Sequence, residues 1–366
     1  MWAESARRAV FVGVLLAVGS EVVAEPTLRA PAGYYRPAII KKSTPVVCAA
    51  PPTPFTATLD FPSKYEGSDG SRDDLNAEAE AEYRALTLPI TDTEKGVSSA
   101  VTNYMKSSSP SQLQCAIDWL SAWANASALE GVATTHTGRA TRKWALASLS
   151  GAYLRLKFST SAPLSIYVEQ ARIIEAWFAR IGDKVAVEWP AQDPTRKINN
   201  HYYWAAWAMS ATAVITNRED LFEKSLAIYH VFASQVDANG YLPNEVARGT
   251  KAASYQAYAL LPITMVAALG KANGVNLSTE NSGALVRLAE RVRVTLLDPT
   301  TIEARAGAVQ VLTDSERITS WMWLEPYCWT VECSADIRTE LVARRPMSST
   351  RLGGNLTAIY GETPTP

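Results

Sequence analysis

Apolar positions recur at helical spacing along most of this chain, and turn residues punctuate them. Asp74-Leu75-Asn76 opens an Ala/Glu-rich amphipathic stretch that stops near Pro89. Thr91-Asp92-Thr93-Glu94 then offers a capping signal for a second helix to about Lys106. Further stripes cover 109–129, 139–157 and 164–181, followed by candidates at 199–216, 220–236, 250–272 and 284–297. Gly138, Gly182-Asp183, Asn239-Gly240 and Gly274 fall at the boundaries. About eight to eleven helices in succession, without strand–helix alternation, predict an all-α fold. Short connections predict antiparallel hairpins. No fixed-period repeat supports a solenoid, so the expected architecture is a toroid of hairpins whose loops gather around a deep cleft. Before the first helix, residues 25–57 are Pro-rich and read as an extended arm, and 63–74 as a polar loop. The pieces 306–311 and 315–323 read as short strand or irregular structure.

The first segment changes the picture. Arg7 and Arg8 precede an apolar run from Ala9 to Val18, then Val22-Val23-Ala24. A basic start, a short apolar core and small residues predict a secretory leader, residues 1–24, which leaves a single folded domain over 25–366. The run is about half the roughly 20 residues of a membrane span, and no later stretch reaches that length without charges. No membrane span is expected. Four cysteines suit an exported protein: Cys48, Cys115, Cys328 and Cys333 allow three pairings, with Cys328–Cys333 plausible on spacing and Cys48–Cys115 left to staple the arm to a helix. Without a CxxC, and with His136, His201 and His230 scattered, no metal site is expected.

Net charge is −1, from 35 basic and 36 acidic side chains, which excludes a general nucleic-acid binder. A polyanionic ligand therefore needs a local cationic cluster. The 11 Trp and 15 Tyr against 7 Phe suit stacking on sugar rings as well as helix packing.

Three clusters could carry chemistry. In Asn199-Asn200-His201-Tyr202-Tyr203-Trp204, one Asn serves as helix cap, while Asn200, His201 and Trp204 fall near one face. A solitary helical His packs more often than it catalyses. Arg248, Lys251 and Tyr255 share one helical side; cations there favour phenolate, though on this segment alone a solvated basic face with a rim Tyr is the better reading. Lys64-Tyr65 at the tip of the early loop read as a lid or as an ordinary charged turn. Arg139, Arg142 and Lys143 form a further basic group, facing flanking carboxylates or solvent.

The strings SKYEGSD (63–69), THTGRATRKWALASLSGAYLRLKFS (135–159), KINNHYYWAAWA (197–208), GYLPNE (240–245), WLEPYC (323–328) and RLGG (351–354) resemble the bacterial alginate lyases of polysaccharide lyase family 5. The resemblance covers nearly the whole chain after the leader. It implies an incomplete (α/α) toroid with a lid loop at about 62–75, periplasmic localisation and no cofactor. It implies two partners, the anionic polysaccharide alginate and the alginate biosynthesis and secretion machinery. Carried over by residue, Asn200 and His201 match the groups that neutralise the substrate carboxylate, Arg248 the active-site arginine and Tyr255 the acid/base. Lys64 and Tyr65 match the lid, and Trp144 and Trp204 match sugar-binding tryptophans. Thr135, Gln256 and the weakly basic Gly249-Thr250-Lys251 depart from the family pattern and bear on subsite preference.

The implied reaction is β-elimination at a 4-linked uronic acid. An ionised carboxylate resists loss of the neighbouring C5 proton until donors neutralise it, each worth about 3 kcal/mol in the transition state. In mannuronate the C5 proton and the O4 leaving group share one ring face, so Tyr255 can act as base and then acid. In guluronate they lie on opposite faces, and His201 would have to be the base. Mannuronate preference is thus expected. The alternatives are a broader polyuronate lyase taking glucuronan or hyaluronan, and a silent polysaccharide-binding or export scaffold.

Overall fold

A computed structural model describes residues 27–42, 44–65, 72, 74–193 and 196–361. The expected leader and residues 66–71 and 73 of the expected lid lie outside these described residues. The helices are α1 (Ala77–Ser107), α2 (Pro110–Asn125), α3 (His136–Phe158), α4 (Val168–Glu188), α5 (Asn200–Thr216), α6 (Glu219–Gln235) and α7 (Pro243–Val246). They continue with α8 (Ala252–Ala272), α9 (Glu280–Leu297), α10 (Thr300–Ala306), α11 (Asp314–Thr319), α12 (Leu324–Thr330), α13 (Ala335–Ala343) and α14 (Leu356–Tyr360). A two-residue antiparallel ladder joins β1 (Ser348–Ser349) to β2 (Gly354–Asn355).

Polar caps set the starts of the site-bearing helices. Asn76 accepts from the N–H groups of Glu78 and Ala79, Thr135 from Gly138, and Asn199 from His201. The break expected at Pro89 does not occur, because α1 runs through it. Pro89 leaves the carbonyl of Ala85 without its helical donor, but Ala85 is exposed. Thr87, Ile90, Val97 and Val101 meanwhile keep one buried stripe unbroken. Thr91 to Glu94, expected as a cap, lie inside the helix, where the Thr91 and Thr93 hydroxyls donate to the carbonyls of Thr87 and Pro89.

The layers follow from which faces are apolar. Helices α3, α5 and α8 are buried along nearly their whole length, whereas α2, α4, α6 and α9 each bury one stripe. The two sets alternate along the chain. Inner helices pack in series, α1 on α3, α3 on α5, α5 on α8 and α8 on α12. Outer helices do the same, α2 on α4, α4 on α6 and α6 on α9. This is the (α/α) toroid, and it is incomplete: a 3-10 turn at Thr350–Leu352, not another hairpin, packs against α1, α3 and α8. Gly353 there has φ +91°, and an added Cβ would come 2.5 Å from the carbonyl carbon of Gly151 on α3. Only glycine permits that approach.

Residues 249–272 are long and apolar enough to cross a bilayer, contrary to the expectation that no later stretch would be, and 89% of that window is buried within the protein. The arm does lie over the body: Trp119 and Trp123 donate their indole N–H groups to the carbonyls of Ala49 and Pro52. Cys48 is bonded to Cys115 and Cys328 to Cys333. Residues 314–319, expected as strand or irregular, form α11 through a capping box of Thr313 and Glu316.

Candidate active site

A cleft of about 930 Å³ opens where the N-terminal ends of α3, α5 and α8 converge. Asn200, His201, Arg248 and Tyr255 all line it, with Lys64, Tyr65 and Trp144. Residues from all three clusters thus meet in one cavity. Trp204 does not line it. It is 1% exposed and packs behind Tyr258, 5.1 Å between ring centroids, so the expected sugar-stacking position is a core position. The i+4 offset that suggested a shared face with Asn200 points Trp204 inward, because α5 is apolar on every side.

Two carboxylate-anchored residues sit side by side. Glu245 is fully buried and accepts from the Asn200 backbone N–H at 2.7 Å and from its Nδ2 at 3.0 Å; Arg248 Nε lies 3.9 Å from the same carboxylate. A carboxylate only accepts, so it fixes the amide with Nδ2 toward Glu245. One Nδ2 hydrogen remains, and Oδ1 is buried without a hydrogen bond among the described residues. Gln256 explains its departure from the family pattern: its amide closes on Leu242, accepting from the N–H at 3.1 Å and donating to the carbonyl at 2.8 Å. That clamp holds the segment from which Glu245 and Arg248 project. Thr135 is likewise engaged, accepting from Phe61 and Gly138. It caps α3.

His201 stacks on Trp189 with an interplanar angle of 5° and a centroid separation of 5.6 Å, and Trp144 lies 5.6 Å away. His136 approaches to 4.6 Å, so two histidines that are distant in sequence adjoin in space. No group of three potential metal ligands occurs among the described residues. Nδ1 of His201 is 2.9 Å from Nζ of Lys143. Burial first, then Lys143, His136, Arg248 and Arg72, hold His201 well below the ordinary imidazole pKa. Burial and cationic neighbours likewise depress His136 to about 3. Both rings are neutral at pH 7. Lys143, grouped with Arg139 and Arg142 as facing flanking carboxylates or solvent, is 0% exposed, and Arg142 is 2% exposed in an ion pair with Glu188.

Tyr255 differs from expectation. Its hydroxyl is 2.9 Å from that of Tyr65, and the Arg248 guanidinium lies 4.5 Å from its ring centroid. Arg248 lowers the phenol pKa, but burial first and Tyr65 second raise it more, and the net shift is upward. The expected depression fails because Lys251 pairs with Glu316 at 3.6 Å, and desolvation exceeds one guanidinium.

Several lining residues had no assigned role. Arg351 donates to the Tyr258 hydroxyl at 3.0 Å and lies over Trp144 at 4.5 Å, forming the cleft floor. Its string was recognisable, but nothing local placed it near α3. Arg196, Lys197, Arg84 and Arg72 add positive charge along the walls, beside Arg139 of the expected basic group. Eight cationic and two acidic side chains line the cavity among the described residues.

Residues 60–302 match the family described as Alginate lyase. The chain is 47% identical over 343 residues to an alginate lyase of Pseudomonas aeruginosa, covering 94% of this chain and 93% of that protein. It is 47% identical over 350 residues to one from Azotobacter vinelandii, covering 95% and 93%. Among solved structures, alginate lyase A1-III from Sphingomonas species A1 superposes with a TM-score of 0.70 at 20% identity, covering 86% of each chain. A variant of A1-III complexed with a tetrasaccharide gives 0.72 at 19% identity, covering 88% of this chain and 89% of that one.

Proposed function

The chain belongs to the alginate lyase family, and from that premise we propose that it cleaves alginate by β-elimination with a preference for mannuronate. The carrying observation is that Asn200, His201, Arg248 and Tyr255 line one cavity whose walls are cationic. Arg248, the remaining Nδ2 hydrogen of Asn200 and the imidazole N–H of His201 neutralise the C6 carboxylate. That lets charge develop on it as the C5 proton leaves. Tyr255 takes this proton, the C4–O4 bond breaks as the C4=C5 double bond forms, and the phenol returns a proton to the departing oxygen. Burial and the Tyr65 hydroxyl favour the protonated phenol. A sugar seated between the two hydroxyls removes the Tyr65 contact and leaves Arg248 as the nearby group favouring phenolate. Tyr65 and Trp144 flank the sugar path, and Lys64 supplies charge at the lid.

One face of the ring sees Tyr255, which supports mannuronate over guluronate. Initial rates of unsaturated-product absorbance on pure mannuronate and guluronate blocks test this, and equal rates overturn it. Tyr255→Phe should lose roughly 10³-fold or more in product formation while polymer binding, followed by calorimetry, changes little. A variant that still makes product removes the phenol from the mechanism. The leader pattern at 1–24 supports export to the periplasm, where the enzyme trims alginate during its synthesis and secretion. Fractionation of cells expressing the full chain tests that, and retention of the enzyme in the cytoplasm counts against it.

A further inference from the structure

The geometry points to Lys143 as a positioning residue that fixes His201 in its Nε2–H tautomer, making the ring a hydrogen-bond donor and barring it from service as a second base. Lys143 is fully buried on α3, in a position from which it cannot touch substrate. Its Nζ reaches Nδ1 of His201 at 2.9 Å. Burial and Arg351 push the Lys143 amine well below its usual pKa and Glu188 opposes them; in its ammonium form it has hydrogens and no lone pair, so Nδ1 then presents its lone pair and the ring proton sits on Nε2. The indole faces of Trp144 and Trp189 lie 4.5 and 4.0 Å from Nζ, and such faces attract the charged form. The same two indoles hold the imidazole ring, so it cannot turn to offer the other nitrogen.

Every charged group turned toward the ring has the sign that opposes its protonation. Lys143 faces it from α3, Arg248 from the turn after α7, and Arg72 from the end of the lid loop, while the neutral ring of His136 adjoins it from α3. Arg351 adds its charge from the floor beside Lys143, against Glu188 at the end of α4, the one carboxylate acting on that lysine. With its proton committed to Nε2 and a second proton opposed, His201 can donate to a carboxylate but cannot accept a proton from carbon. The consequence for block preference rests on the elimination chemistry proposed above. Guluronate, which needs a base on the opposite ring face, finds none there.

Nitrogen-15 NMR of the intact enzyme, labelled at histidine, reads this directly. From about pH 5 to about pH 8, His201 should show an unprotonated Nδ1 and a protonated Nε2, without titrating. A protonated Nδ1, or an imidazolium within that range, overturns the proposal. Lys143→Met keeps the stem and removes the donor. Its His201 should populate the other tautomer and titrate nearer an ordinary imidazole. Its kcat on mannuronate blocks should fall roughly 10²-fold with a smaller change in KM, and its guluronate-to-mannuronate rate ratio should rise. Lys143→Arg, which retains a donor, should recover part of the loss. A Lys143→Met enzyme with unchanged tautomer and unchanged rate ratio refutes the role, even if it melts earlier. If the wild-type tautomer is as stated but both blocks are cut equally, the mannuronate reading fails and the positioning role stands. If the tautomer is wrong while mannuronate is preferred, the reverse holds.

Discussion

On Tyr255, desolvation and the Tyr65 hydroxyl hold the proton on while the guanidinium 4.5 Å away draws it off. The balance sets where activity rises with pH. Arg248→Met should lower kcat by about 10²–10³-fold and move the rising limb of the rate profile to higher pH, because the group favouring phenolate is gone. A limb displaced toward acid contradicts the assignment. The neutral histidines carry a second pH effect. In the unfolded chain a histidine takes a proton below about pH 6.5, whereas folded His136 holds out to about 3. The unfolded state binds more protons in that window, so stability falls as the pH drops through it. The melting temperature, scanned from about pH 7 to about pH 4, should decline less steeply in His136→Gln. At this scale the reactive string around Asn200 and the Arg248–Tyr255 spacing were legible, because reactive types cluster locally. Lys143 was not. Its neighbours in sequence are Arg139 and Arg142, and only the packing of Trp144 and Trp189 turns it inward.

Helix by helix, one apolar face is what periodicity records, and the stripes placed α6 within a residue at each end, whereas α4 starts at Val168, later than the expected 164, and runs past 181 through Gly182 to Glu188. Inner helices α5 and α8 lack a polar face, so their extent was visible but not the direction of any side chain; Trp204 was misplaced for that reason. Pro89 misled because a proline on an exposed face can sit in a helix that its other side holds down. The arm is less secure, having little regular structure of its own. Its Cys48–Cys115 bond closes a separation of 67 residues, a span for which chain entropy gives about 4 kcal/mol. The double change Cys48→Ser and Cys115→Ser should lower the melting temperature by roughly 6 °C. An unshifted calorimetric transition would show that the arm is held by its other contacts.

Taken as a whole the molecule is close to neutral, and yet its cleft is strongly positive. The total charge argued against a general nucleic-acid binder but could not reveal a field assembled from α1, α3, the 196–201 segment and the floor. Such a field concentrates a polyanion at the opening and is screened by salt. Raising ionic strength from about 0.15 M to about 1 M should therefore reduce kcat/KM on polymeric substrate roughly tenfold, mainly through KM. A salt-independent kcat/KM would mean that binding is governed by stacking and hydrogen bonds instead.

The floor of that cleft comes from far downstream. Arg351, which meets Trp144 and Tyr258, follows the inner helices α1, α3, α5 and α8 in the sequence, and Gly353 seats it by close backbone approach to Gly151. During synthesis on the ribosome, a nascent chain can carry Tyr255 and His201 for a long interval with no bottom to its groove. Removal of the segment from Ser348 onward would recreate that unfinished state, taking away the floor arginine while the inner helices that precede it keep their sequence.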